Sequence, residues 1–123
     1  MRETSDIQLQ IINIQIGCTL RLARLKKKIS QQTIALKLDY NSTMIGRIER
    51  FEGISGWDKI YSISTYLNVD FSNLFVLKSK ETLISIINES YNLEEKLTQE
   101  KKDYYNFLRK TIDLKFELLE KIK

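Results

Sequence analysis

The sequence predicts an all-α fold, and three observations carry that expectation. The chain contains no proline, the residue that helix interiors exclude. Its apolar residues recur at three- and four-residue intervals over most of its length, the period of a helix face. Between residues 30 and 50 two short helical patterns follow one another, each opened by a capping residue.

Residues 1 to 6 read as a frayed start, with Thr4, Ser5 or Asp6 available to cap the first helix. Ile7, Leu9 and Ile11 alternate like a strand, whereas Leu9, Ile12, Ile16, Leu20 and Ala23 keep helical spacing. The second pattern is longer, so a helix is expected to about Lys28. Its apolar N-terminal part, residues 1–15, is an extension suited to packing on the C-terminal helix or on a second subunit. Cys18 is the only cysteine and cannot form an internal disulfide; it reads as a small helix residue.

Ser30 opens the next helix, with Gln32 and Thr33 placed to reach its free amides. Ile34, Ala35 and Leu38 share one face of it. Asn41 caps a following helix, in which Ile45 and Ile48 turn inward. The link at Asp39-Tyr40 is too short for an antiparallel pair, so the two helices cross steeply and the second is presented outward. That spacing leaves Ser42, Thr43, Gly46 and Arg47 on or near the outward face. Arg47 can pair in bidentate fashion with guanine's major-groove edge, worth about 1–3 kcal/mol of discrimination. Beyond it, Trp57 to Leu67 forms a fourth helix with Ile60, Ile63 and Leu67 to the core. Trp57, Tyr61 and Tyr66 read as core or domain-edge packing. Asn68 suits a left-handed helix end, and Asp70 can cap a fifth helix carrying Phe71, Leu74 and Phe75.

The residues Ser30-Gln31, Ile34-Ala35, Leu38, Ile45 and Arg47-Ile48-Glu49 resemble the Cro/C1-type helix-turn-helix regulators, and the likeness continues through Trp57–Phe75. It covers about residues 16–76 and implies a five-helix, lambda-repressor-like DNA-binding domain, residues 16–77, whose partner is double-stranded DNA. It implies base contacts from Ser42, Thr43, Gly46 and Arg47. Gln31 resembles the glutamine that meets phosphate and braces the recognition helix. Arg50, Lys26, Lys27 and Lys28 are further phosphate candidates. Arg24 and Glu49 match a partly buried ion pair of the family. The chain departs from the pattern at Asp39 and Phe51, which stand where glycine is usual, and its loop at 52–56 carries no basic residue.

Residues 78–123 change composition and are rich in Lys, Glu, Leu and Ile. Leu83, Ile87, Leu97, Tyr104, Leu108, Ile112, Phe116, Leu119 and Ile122 make one amphipathic stripe, with a break expected near Asn88 to Asn92. Glu94 and Lys101 interrupt the heptads. A stripe of that length points to pairing with a second chain, as a coiled coil or four-helix bundle, and hence to a homodimer through residues 79–123. The other course open to it is to fold back on residues 7 to 16.

Charge and composition bound the function. The net charge is +4, and its excess lies early: residues 1 to 29 hold six basic and two acidic side chains, residues 78 to 123 ten and nine. A basic excess beside the paired helices suits a phosphate backbone, although a helix end attracts lysines too. Histidine is absent, which removes His-based triads and metal sites. The glycines at 17, 46, 53 and 56 build no phosphate loop, and pairs such as Glu94-Glu95 read as a solvated face, so an enzyme is not expected. No cofactor or small-molecule ligand is evident. No apolar run is long enough to span a bilayer, and residues 1–6 lack a secretion signal's pattern, so the cytoplasm is expected. The reading is a homodimeric, sequence-specific transcriptional regulator, a repressor on a palindromic operator. The alternative is an adaptor, antitoxin-like or anti-repressor, that holds another protein by its C-terminal helix.

Overall fold

The computed structural model describes residues 2–122, with side chains from residue 6 onward, and is all-helical with no strand among them. Its helices are α1 (Arg2–Lys26), α2 (Gln31–Leu38), α3 (Ser42–Glu49), α4 (Trp57–Tyr66), α5 (Lys80–Leu93) and α6 (Gln99–Ile122). α1 begins at Arg2, so Thr4, Ser5 and Asp6 lie within its first turns rather than ahead of it. It runs unbroken through residue 16 and stops two residues before Lys28, which takes a left-handed conformation.

Where the sequence predicts a fifth α-helix, Ser72–Phe75 makes only one 3₁₀ turn. Asp70 still organises it, its carboxylate accepting from the Ser72 amide at 3.2 Å and hydroxyl at 3.0 Å. The tail is interrupted at Glu94–Thr98, later than Asn88 to Asn92, and becomes a hairpin of α5 and α6. Ser79 starts α5 by accepting the Thr82 amide at 3.1 Å, and Thr98 starts α6 by accepting that of Lys101 at 3.2 Å.

Two apolar clusters result, and α1 belongs to both. Ile16 and Leu20 join Ile34, Ala35, Ile45, Ile48, Ile60, Ile63, Leu67 and Leu74 in the first. Ile11, Ile14 and Cys18, on another side of α1, join Leu83, Ile87, Tyr105, Leu108, Ile112 and Leu119 in the second. The expectation that the tail needs a second chain to cover its stripe is therefore corrected. Folding back on α1 buries Leu83, Leu108 and Ile112 completely, each gaining about 1.5–3 kcal/mol of transfer free energy.

Two polar or small residues of α1 fix how the layers meet. Gln15 is fully buried; its amide nitrogen donates to the Leu74 and Val76 carbonyls, both at 2.8 Å, and its oxygen accepts from the Lys78 amide at 3.0 Å. This single side chain satisfies three backbone groups where the chain passes from the first cluster to the tail, groups that would otherwise be costly to bury. At Gly17, an added Cβ would stand 2.5 Å from the Ile48 carbonyl oxygen and 2.8 Å from that of Glu49. Only glycine lets α1 approach the end of α3 so closely.

Candidate nucleic-acid interface

α2 and α3 are eight residues each, joined by three residues. The Ser30 hydroxyl accepts the Thr33 amide at 3.0 Å, and the Asn41 side chain accepts that of Met44 at 2.8 Å. Asp39 closes α2 in the left-handed region, φ 60°, where aspartate is tolerated better than most residues. Ile34 and Ala35 of α2, with Ile45 and Ile48 of α3, are buried in the first cluster. Burial of the α3 pair sets the roll of that helix about its axis. The side turned to solvent carries Ser42, Thr43 and Arg47, all exposed.

Gly46 does not share that side. It is buried, and a Cβ built on it would lie 3.0 Å from Arg50 Nη1 and 3.4 Å from Gln31 Oε1. The expectation that its missing side chain opens the helix to bases is corrected: this chain's own Arg50 and Gln31 occupy the space. Gln31 is likewise engaged, its Nε2 donating to Glu49 Oε1 at 3.0 Å. The anion it meets here is a carboxylate.

Glu49 is the centre of a buried polar cluster. Its side chain is 3% exposed, and Arg24 grips both oxygens, from Nε at 2.6 Å and Nη2 at 3.0 Å. Arg24 also donates to the Ile29 carbonyl at 3.0 Å. Arg21 closes the other side. Its Nε lies 3.6 Å from the carboxylate, and its Nη2 donates to the Glu49 carbonyl at 3.0 Å and to the Tyr104 hydroxyl at 3.2 Å. Its guanidinium also stacks 4.9 Å from the Tyr104 ring centroid, a favourable cation–π contact. Burial raises the pKa of the Tyr104 phenol, an effect Arg21 opposes. Nothing in the apolar pattern marks Arg21, but its i, i+3 spacing from Arg24 places both on one helix face.

The phosphate candidates divide into two sets. Arg50 donates to Glu52 at 2.5 Å, and Lys26 pairs with Glu89 at 3.3 Å. Both pairs are exposed and thus weak, about 0–1 kcal/mol. Lys27, Lys28 and Arg47 are exposed and, among the described residues, form no ion pair. Beside this surface runs a cleft of about 1270 Å³, with Ser30, Gln31, Ser42 and Arg50 on one wall and the α5–α6 connection, from Glu94 to Thr98, on the other. Glu94 is held by Lys101 at 3.3 Å and by the Tyr105 hydroxyl at 2.6 Å. Burial and that hydrogen bond both raise the Tyr105 pKa.

No protein-family model matches the chain, and no curated protein or solved structure matches it. Among the described residues no His, Cys, Asp or Glu side chains are grouped to hold a metal ion, and no helix is long and apolar enough to cross a membrane.

Proposed function

We propose that this chain is a sequence-specific, double-stranded-DNA-binding transcriptional regulator of the Cro/C1-like helix-turn-helix kind, a repressor that acts as a homodimer on a palindromic operator. The observation that carries the reading is the exposed side of α3, where Ser42, Thr43 and Arg47 face solvent, Ser42 across an open cleft from the α5–α6 connection, and Arg47 has no ion-pair partner among the described residues. Lys27 and Lys28, without an ion-pair partner among the described residues, add positive charge just after α1, close to the capped start of α2. Two such α3 helices reach successive major grooves about 34 Å apart. Arg47 reads a base edge; Lys27, Lys28 and, after yielding their surface partners, Arg50 and Lys26 meet phosphate.

Mobility shift on genomic fragments across a salt series tests this. Each phosphate contact adds about 0.9 to the slope of log affinity against log salt. Arg47→Ala is expected to erase the preference for selected fragments while leaving non-specific binding nearly intact. Equal loss on all fragments would remove Arg47 as a reader.

A second reading is an adaptor that holds another protein by its C-terminal helices. Phe107 and Leu114 favour it, since they stand two turns apart on α6 and remain exposed. An adaptor shows neither the salt slope nor a preferred fragment.

A further inference from the structure

The last turn of α3 is held from outside the pair of helices to which it belongs. A helix leaves its final carbonyls without intrahelical partners. Here the amides of Arg50, Phe51 and Glu52 take those of Gly46, Ile48 and Arg47, at 3.0, 3.1 and 2.9 Å. The Glu49 carbonyl is taken by a side chain instead, Arg21 Nη2 at 3.0 Å. Arg21 belongs to α1 and is buried. Tyr104 of α6 fixes it in place, with its ring 4.9 Å from the guanidinium and its hydroxyl accepting from the same Nη2 at 3.2 Å. Tyr104 is itself anchored, because it packs on the second cluster and meets the buried Tyr105 ring edge-on at 6.1 Å. A parallel tie comes from Phe51, two residues beyond α3, which packs on the same cluster.

Within the first cluster, α2 and α3 meet through Ile34, Ala35, Ile45 and Ile48. Apolar contact of this kind is non-directional and fixes the tilt of a short helix less closely than a hydrogen bond does. Reading a base requires that tilt to be fixed. Arg47 lies two residues before Glu49, and a bidentate pair needs both of its donors within reach of one base edge.

We infer that Tyr104 is a positioning residue for α3: through Arg21 it holds the Glu49 carbonyl, and with it the angle at which Arg47 meets DNA. The tail hairpin thereby contributes to base discrimination without touching a base. The statement about DNA rests on the proposed function, whereas the hold on α3 does not.

Tyr104→Phe keeps the ring and removes the acceptor, and amide hydrogen exchange of the full chain without DNA reads the hold directly. Losing one hydrogen bond to a charged group should open the end of α3 about tenfold more often. The amides of Arg50, Phe51 and Glu52 should exchange faster by that factor. Those of Tyr40 and Val69, which close α2 and α4, should keep their rates. Equal acceleration everywhere would reveal a general loss of stability, and no acceleration would reveal no hold; either result overturns the inference. Mobility shift reads the consequence for DNA. The variant should lose about fivefold of its preference for a selected fragment over a random one, the lower end of what a bidentate pair supplies. Its affinity for the random fragment should stay the same. Ile112→Val, at a buried position two turns farther along α6, should lower the urea midpoint and leave the preference intact. A preference indifferent to Tyr104→Phe, or eroded as much by Ile112→Val, overturns the inference. A chain that binds no DNA yet shows the local acceleration removes the proposed function and upholds the hold of Tyr104 on α3.

Discussion

Glu49 is held by three side chains, from Arg24, Gln31 and Arg21, and that redundancy ranks the effects of removing each. Glu49→Ala leaves two buried guanidinium groups without their anion and should lower the free energy of unfolding by about 3–5 kcal/mol. Arg24→Ala should cost less, because Arg21 already stands 3.6 Å from the carboxylate and can take it over. Urea denaturation of the two variants checks the order; equal losses would mean that Arg21 gives Glu49 no support. Cys18 supplies a pH dependence. Burial pushes its thiol from 9.0 up to about 11, so the folded chain keeps a proton that the unfolded chain has lost. The associated stability is complete below pH 9 and disappears as pH rises towards 11, by on the order of 2–3 kcal/mol. Tyr104 and Tyr105, also raised, act in the same direction at higher pH. Urea midpoints measured through this range should fall with pH, and Cys18→Ala should flatten the first part of the fall.

At the scale of elements, α1 to α4 all end in the same way. The residue that closes each is left-handed, namely Lys28, Asp39, Phe51 and Asn68. The next amide reaches back five residues: Ile29 to Arg24, Tyr40 to Ala35, Glu52 to Arg47, Val69 to Ser64. This is the Schellman arrangement, which glycine usually completes. Lys28 is exposed and holds φ 57° against a steric cost of about 1–2 kcal/mol. Lys28→Gly should therefore stabilise the chain by about 0.5–1 kcal/mol net of glycine's unfolded-state entropy, read as a higher urea midpoint. Phe51 is different, since its ring packs on the second cluster and glycine would lose that contact.

Much of this local architecture is legible in the sequence. Ser30 and Asn41 announce their helices, Asp39 and Asn68 their left-handed ends, and Ile60, Ile63 and Leu67 their inward face. Other features are hidden for physical reasons. A helical wheel assigns Gln15 and Arg21 to solvent because it counts polarity and cannot see the carbonyls and carboxylate that satisfy them. Gly17 does carry a signal, as a glycine inside a long helix implies close approach. The turn at Glu94–Thr98 contains neither glycine nor proline, so nothing in the residues fixes its place. In the candidate interface, spacing locates Ser42, Thr43 and Arg47, but it cannot show that Gln31 and Arg50 close over Gly46.

At the scale of the molecule, α1 is shared by both clusters, and the Gln15 bonds tie their boundary together. Neither cluster can open without uncovering one side of α1, so unfolding should be a single transition. Far-UV ellipticity, to which the helices of both clusters contribute, and alkylation of Cys18, inside the second, should change at the same urea concentration. Two separated midpoints would show that the hairpin melts by itself.

The order in which the chain is made gives this arrangement a cost during synthesis. α1 leaves the ribosome well before the partners of its second side, and the last of them, α6, is complete about a hundred residues later, roughly 5–20 s at ordinary elongation rates. Until α5 follows, Ile11, Ile14 and Cys18 have nothing to rest against, and from then until α6 is made they have only Leu83 and Ile87. The second side of α1 is thus covered later than the first, although both lie on one helix.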